Sequence, residues 1–238
     1  MTASVRSASL AAVPNVYTFK DFEGSSHRIL LQLVREFTRV PGGRILDLGA
    51  AGGELGEALR DRFDETFGFD FDVDNIDRLH KSFDHAVIAD LERLVALPSR
   101  MRCIILADVL EHLRDPRRAL EMVRRSLDEN GRIFVSVPNI ANITIRLGLL
   151  FGVFRYRDRG ILDHSHLRFY TRRTIVEELR GAGLEIDSVH ASSVPIRLVF
   201  DGRIPGTLIR LGERILVPLT RTWKSLFGYQ IILVVRPR

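Results

Sequence analysis

A short apolar run, Arg44-Ile-Leu-Asp-Leu48, leads straight into the glycine-rich turn Gly49-Ala-Ala-Gly-Gly53, and a helical pattern starts at Glu54. Strand, glycine turn and helix in that order point to a sheet with a ligand-accepting edge, because glycines let the backbone approach a bound group closely. The alternation then repeats. Thr66-Phe-Gly-Phe-Asp70 reads as a second strand followed by a helix from Val73 to Ser82, and His85 to Ala89 as a third strand. Arg102-Cys-Ile-Ile-Leu-Ala107 is a fourth, apolar on both faces, and a helix from Pro116 to Leu127 leads into a fifth, Arg132 to Val137. Thr171 to Gly181 reads as a helix, and Leu184 to Ala191 and Gln230 to Val235 as two late strands. Strands spaced by helices predict an α/β fold, a doubly wound and mostly parallel sheet covered on both sides.

Composition narrows the class. The 238 residues suffice for one sizeable core, and 45% hydrophobic with 27% charged residues excludes wholesale disorder. A single cysteine, Cys103, excludes an internal disulfide and a four-cysteine zinc site. No apolar run reaches the length of a membrane-spanning helix, and Met1 to Pro14 lacks the continuous apolar stretch of a signal peptide. A cytoplasmic location is therefore expected. Residues 1–24 read as an N-terminal extension and 25–238 as one domain, with substrate-side segments at 139–170 and 195–228. The formal charge of +5 is unevenly spread. Eight basic residues against two acidic ones give +6 from Val194 to Arg238, and six against two give +4 from Arg155 to Arg173. An acidic core beside a basic cap is the expectation.

Three acids mark successive strand ends. Asp47 precedes the glycine turn, Asp70 closes the second strand where a carboxylate can take both hydroxyls of a ribose, and Asp90 follows the third near an adenine position. Each acid taken singly could be a helix N-cap; three in series favour a nucleoside-containing cofactor. A dinucleotide fingerprint would need glycine at the first, third and sixth positions, where this chain has Gly49, Ala51 and Glu54. No tyrosine precedes a lysine by four residues, so hydride chemistry lacks its usual parts. An acid at 47 suits a cationic ligand better than a pyrophosphate.

Ile45-Leu-Asp-Leu-Gly-Ala-Ala-Gly-Gly53, Phe67-Gly-Phe-Asp70 and Ile104-Ile-Leu-Ala-Asp-Val-Leu-Glu-His-Leu-Arg-Asp-Pro116 resemble, in this order, the serial motifs of class I S-adenosylmethionine-dependent methyltransferases. The resemblance runs from about Ser25 to Ala191 and includes Val135-Ser-Val-Pro-Asn139, His166-Leu-Arg-Phe-Tyr-Thr171 and, later, Leu226-Phe-Gly-Tyr-Gln230. It implies a Rossmann-like seven-stranded sheet with an antiparallel last strand and a helical basic insertion before it. It assigns Asp47, Gly49, Ala51 and Gly53 to the methionine end of the cofactor, Asp70 to the ribose, Asp90 and Leu91 to the adenine, and Asp108 to the same cofactor side. Ala51 departs from the family's second glycine, at little expected cost.

The chemistry of methyl transfer is an in-line displacement, for which alignment contributes roughly 7–11 kcal/mol and a positioned base about 10²–10⁴-fold. Candidates are Asp108, Glu111 and His112, which share one face if the segment is helical. One reading is a capping box, Asp108 as N-cap with Glu111 three residues on. The other is a metal site. Asp108, Glu111, His112 and a late histidine, His166 with His164 as second choice, resemble the Glu-x-x-Glu-His plus distal His set of small-RNA 2′-O-methyltransferases and related quinone O-methyltransferases. Such a set implies a divalent ion that lowers the pKa of a coordinated hydroxyl; without one, His112 or His166 is the expected base. Asn139 is read as a substrate contact.

The acceptor side is basic. Arg210, Arg214, Arg221 and Lys224 fall on one helical face, with Leu208, Leu211, Ile215, Leu219, Trp223, Leu226 and Phe227 apolar and Pro218 breaking the helix. Such a segment either lies on an anionic membrane surface or packs on the domain with a solvated rim. The expected reaction is methylation of a hydroxyl on a small or lipid-linked acceptor, of glycan or polyprenyl type. An RNA methyltransferase is the first alternative, since Phe151, Phe154, Tyr156, Phe169 and Tyr170 lie among the arginines. A non-catalytic S-adenosylmethionine-binding regulator is the second.

Overall fold

The computed structural model describes residue 22, residues 24–195 and residues 206–238. Most of the 1–24 extension, and residues 196–205 of the insertion, lie outside this range.

Seven strands form one sheet in the order β3-β2-β1-β4-β5-β7-β6. They are β1 Arg44–Leu48, β2 Glu65–Asp70, β3 His85–Ile88, β4 Met101–Ala107, β5 Leu127–Pro138, β6 Leu184–Ser192 and β7 Gln230–Pro237. All neighbours run parallel except β7, which is antiparallel to both β5 and β6. The expected doubly wound sheet with an antiparallel last strand is therefore present. The helices are α1 Ser26–Phe37, α2 Glu54–Leu59, α3 Ile76–Ser82, α4 Pro116–Ser126, α5 Ile143–Leu150, α6 Arg172–Gly181, α7 Gly206–Thr222 and α8 Lys224–Phe227.

Period-two alternation builds two cores from the central strands. Leu46, Leu48, Ile104, Leu106, Ile133 and Val135 face α4 and α6, joining Leu120, Ile175 and Leu179. Their neighbours Ile45, Cys103, Ile105 and Phe134 face α1 and α2, joining Leu30, Val34 and Leu59. Each fully buried side chain of this kind stabilises the fold by about 1.5–3 kcal/mol. Caps place the helices: Asp115 accepts from the Arg118 amide ahead of Pro116, and Thr171 forms a reciprocal capping box with Thr174.

Two expectations are corrected. Pro218 does not break the insertion helix, since α7 runs through it and ends at Thr222, with Trp223 separating it from α8. A proline removes one amide donor without forbidding the helix. The segment 108–112 is not an α-helix but a single 3-10 turn at Leu110–His112.

Candidate active site

The glycine turn follows β1 at the carboxyl edge of the sheet. Gly49 and Gly53 have φ of +75° and +84°, and a Cβ on either would stand 2.7 Å from Val109 or 2.6 Å from Ser82. Only glycine fits those two positions without a shift. Ala51 also adopts positive φ, +46°, which costs an L-residue about 1 kcal/mol. The turn is laced to β2. The amides of Gly49 and Ala50 donate to the Phe69 carbonyl, and the Ala51 amide donates to Asp70 Oδ2 at 2.8 Å. Asp70 Oδ1 accepts from the Asp72 amide and the Asn75 side chain. Asp90 sits one residue past the Ala89 amide that donates to the Asp70 carbonyl, and Leu91 packs against the first core.

Asp47 is the exception among these acids. It is 1% exposed, and neither of its carboxylate oxygens has a hydrogen-bond partner among the described residues. Burial, then the charges of Asp70 and Glu54, push its pKa up to about 8. A buried carboxylate left without donors is expensive unless a ligand supplies them. An ammonium or sulfonium-bearing ligand over the turn fits that demand.

Across the edge, Asp108 follows β4 at φ +56°. Its amide donates to the Ser136 carbonyl, and its carboxylate accepts from Ser136 Oγ at 3.0 Å and from Gln230 Nε2 at 2.6 Å. The left-handed residue thus directs its side chain onto β5 and β7. It is neither the N-cap of the following turn, which is Val109 with no side-chain cap, nor part of the histidine group. The capping reading of Asp108 is corrected for that reason, and its carboxylate stands apart from the three converging side chains.

Glu111, His112 and His166 do converge, their ligand atoms all within 4.8 Å of one another. The two imidazoles meet edge to face at 4.9 Å. His166 Nδ1 lies 3.2 Å from the Ile161 carbonyl, and His112 Nδ1 lies 3.3 Å from the Ser165 carbonyl. A carbonyl can only accept, so each Nδ1 donates, and the neutral form of each ring has its lone pair on Nε2. Burial, then the neighbouring His112, lowers the proton affinity of His166 below that of an ordinary imidazole. The amides of Leu167 and Arg168 donate to the Glu111 carbonyl and dock the distal loop onto the turn. His164 is not in this group; it is exposed and bonded to the Arg157 carbonyl.

An aromatic wall continues from His166 through Phe169 to Phe154 and Tyr156, with centroid distances of 5.4 to 6.3 Å. Asn139 is fully buried and donates to the Ser225 and Gly228 carbonyls, which corrects its reading as a substrate contact. Asn142 donates to the same Gly228 carbonyl. Sequence reasoning missed Asn142 as an anchor and Gln230 as the clamp on Asp108. The only signal was their amide chemistry, Asn142 shortly after β5 and Gln230 at the start of β7.

A methyltransferase domain family model matches residues 23–189. The ubiquinone biosynthesis O-methyltransferase of Xylella fastidiosa strain M23 is 26% identical over 168 residues, 68% of this chain and 68% of that protein. The human mitochondrial ubiquinone biosynthesis O-methyltransferase is 26% identical over 160 residues, 62% of this chain and 43% of its own length. Among solved structures, magnesium protoporphyrin IX methyltransferase from Synechocystis superposes with a TM-score of 0.61 at 15% identity, covering 90% of this chain and 83% of that one. A methyltransferase from Archaeoglobus fulgidus gives 0.57 at 18% identity, with 89% and 94% covered. At such identities the structures speak to the fold.

Proposed function

From the premise that this chain belongs to the methyltransferase domain family and is an S-adenosylmethionine-dependent methyltransferase, we propose that it methylates a hydroxyl of a small or lipid-linked acceptor, of glycan or polyprenyl type. The observation that carries the hydroxyl is the convergence of His112 and His166, each braced at Nδ1 on a backbone carbonyl, beside Glu111. The names of the curated relatives, ubiquinone biosynthesis O-methyltransferases, support the same reading.

S-adenosylmethionine supplies an electrophilic methyl group on a sulfonium. In this reading Asp47 meets its cationic methionine end, and Gly49, Ala51 and Gly53 hold the backbone close. Asp70 spends lone pairs on the turn and on Asn75, and its remaining capacity serves the ribose. Asp90 and Leu91 bound the adenine. A hydroxyl must lose its proton as it attacks, and Nε2 of His112 or His166 is placed to take it. The same three side chains also suit a divalent ion, with each Nδ1–H braced on a backbone carbonyl as ligating histidines usually are. An ion held there would lower the pKa of the acceptor hydroxyl. The apolar and aromatic residues from Leu147 to Tyr156, largely exposed, form the wall against which an apolar acceptor would lie.

Tritiated-methyl transfer into lipid, glycan and RNA extracts tests this. Label is expected in the lipid or glycan fraction, as an alkali-stable ether, and His166→Ala is expected to cut turnover at least 100-fold with donor binding retained. Label confined to RNA would overturn the acceptor class. Exhaustive chelation assigns the role of the triad: loss restored by divalent ions supports a metal, and full activity assigns the imidazoles as direct bases.

A further inference from the structure

A second concave site lies apart from the strand ends. A cavity of about 1010 Å³ opens between α1 on one side and β6, α7 and α8 on the other, and none of its lining residues belongs to the glycine turn, the acid series or the histidine group. Its walls are unusually cationic. Arg28 and Arg35, seven residues apart, share one face of α1, and Arg39 lies just past its C-terminal end. Arg221 and Lys224 line it from the insertion. The only carboxylate in the lining is Glu36, which accepts from the Gln32 amide.

Four of these cations, Arg35, Arg39, Arg221 and Lys224, have no carboxylate partner among the described residues. Arg35 donates to a neutral partner, the Ala58 carbonyl. His190, also in the lining, has its proton affinity lowered by burial and by Lys224, so the positive field reaches into the cavity. Like charges brought onto two walls of one concavity repel unless an anion bridges them. Guanidinium forks with an ammonium opposite match the oxygens of a phosphate.

We propose that the cavity between α1 and the α7–α8 insertion binds a phosphate or pyrophosphate group. The site is tied to the acceptor wall. Lys224 opens α8, whose Ser225 carbonyl, with that of Gly228 beyond it, is held by Asn139, so an anion there braces the segment that anchors Asn139 and Asn142. The ligand is either a free phosphate compound or a phospholipid headgroup, and two probes separate them.

Trp223, the chain's one tryptophan, stands between Arg221 and Lys224 and is 60% exposed, so its fluorescence reports occupancy. The full chain would be titrated with inorganic pyrophosphate at constant ionic strength. In parallel it would be sedimented with phosphatidylcholine vesicles, with and without phosphatidylglycerol. Saturable binding to pyrophosphate, or to the vesicles only when phosphatidylglycerol is present, is expected. Either should weaken at least tenfold in the double variant Arg221→Glu, Lys224→Glu, with S-adenosylmethionine binding unchanged. Arg39→Gln, on the opposite wall and away from Trp223, should weaken it severalfold, and decides the matter if the double variant does not fold. No saturable response to either probe, a response that the folded variants retain, or a preference for single-stranded RNA over both would overturn the proposal.

Discussion

Asp47 is the residue whose environment asks most of the fold. Its ordinary pKa of 3.8 becomes about 8 inside the chain, so between those values the folded state holds a proton that the unfolded state has released. Stability of the ligand-free chain must therefore fall as pH rises from about 4 to about 8. His166 and His190 have lowered proton affinities and act in the opposite sense, costing stability as pH falls through their range. Comparison with Asp47→Asn removes their contribution, since both chains share it. Thermal or urea unfolding should show the variant more stable at pH 8, by on the order of 3–5 kcal/mol, with the gap closing toward pH 4; an equal gap at both pH values would contradict the account. The acid series and the histidines were legible as residue types at fixed spacings. Asp108 was not, because its role depends on a backbone angle of +56° that no pattern of neighbours encodes. Nor could spacing show that Asn139 would be buried against Ser225 and Gly228.

Between elements, two asparagines fasten the end of the insertion. Asn139 and Asn142 together satisfy the Gly228 carbonyl, and Gly228 in turn donates its amide to the Lys224 carbonyl. Asn139→Ala leaves the Ser225 carbonyl without its side-chain donor and the Gly228 carbonyl with Asn142 alone, and should lower stability by about 1–3 kcal/mol. Amide hydrogen exchange should localise the effect, with faster exchange at Gly228 and through α8 but not in β1 or β4; protection unchanged at Gly228 would show that the anchor is elsewhere. The strands and most helices could be read from periodicity because buried strands and capped helices obey local rules. The insertion resisted that reading. The helix carries Pro218 in its interior, and the turn at Leu110–His112 is docked by the distant Leu167 and Arg168 amides.

For the molecule as a whole, the uneven charge seen in the sequence becomes a division of labour. Buried acids, Asp47 and Asp70, sit at the carboxyl ends of β1 and β2 with the exposed Asp90 past β3, while Arg221 and Lys224 turn toward the cavity beside α1. Arg236 is instead paired with Glu185 and Asp187, and the Arg210 side chain, expected on the same basic face, lies outside the described residues. No helix among the described residues is long and apolar enough to cross a membrane. The central claim is that the donor's cationic end meets the ionised, buried Asp47. Calorimetric titration of the full chain with S-adenosylmethionine between pH 6 and 7.5 tests it most directly. The account predicts affinity that rises with pH, a heat that varies with buffer because a proton leaves Asp47 on binding, and at least tenfold weaker, pH-flat binding by Asp47→Asn. Binding of equal strength by both chains, with no proton released by either, would contradict it.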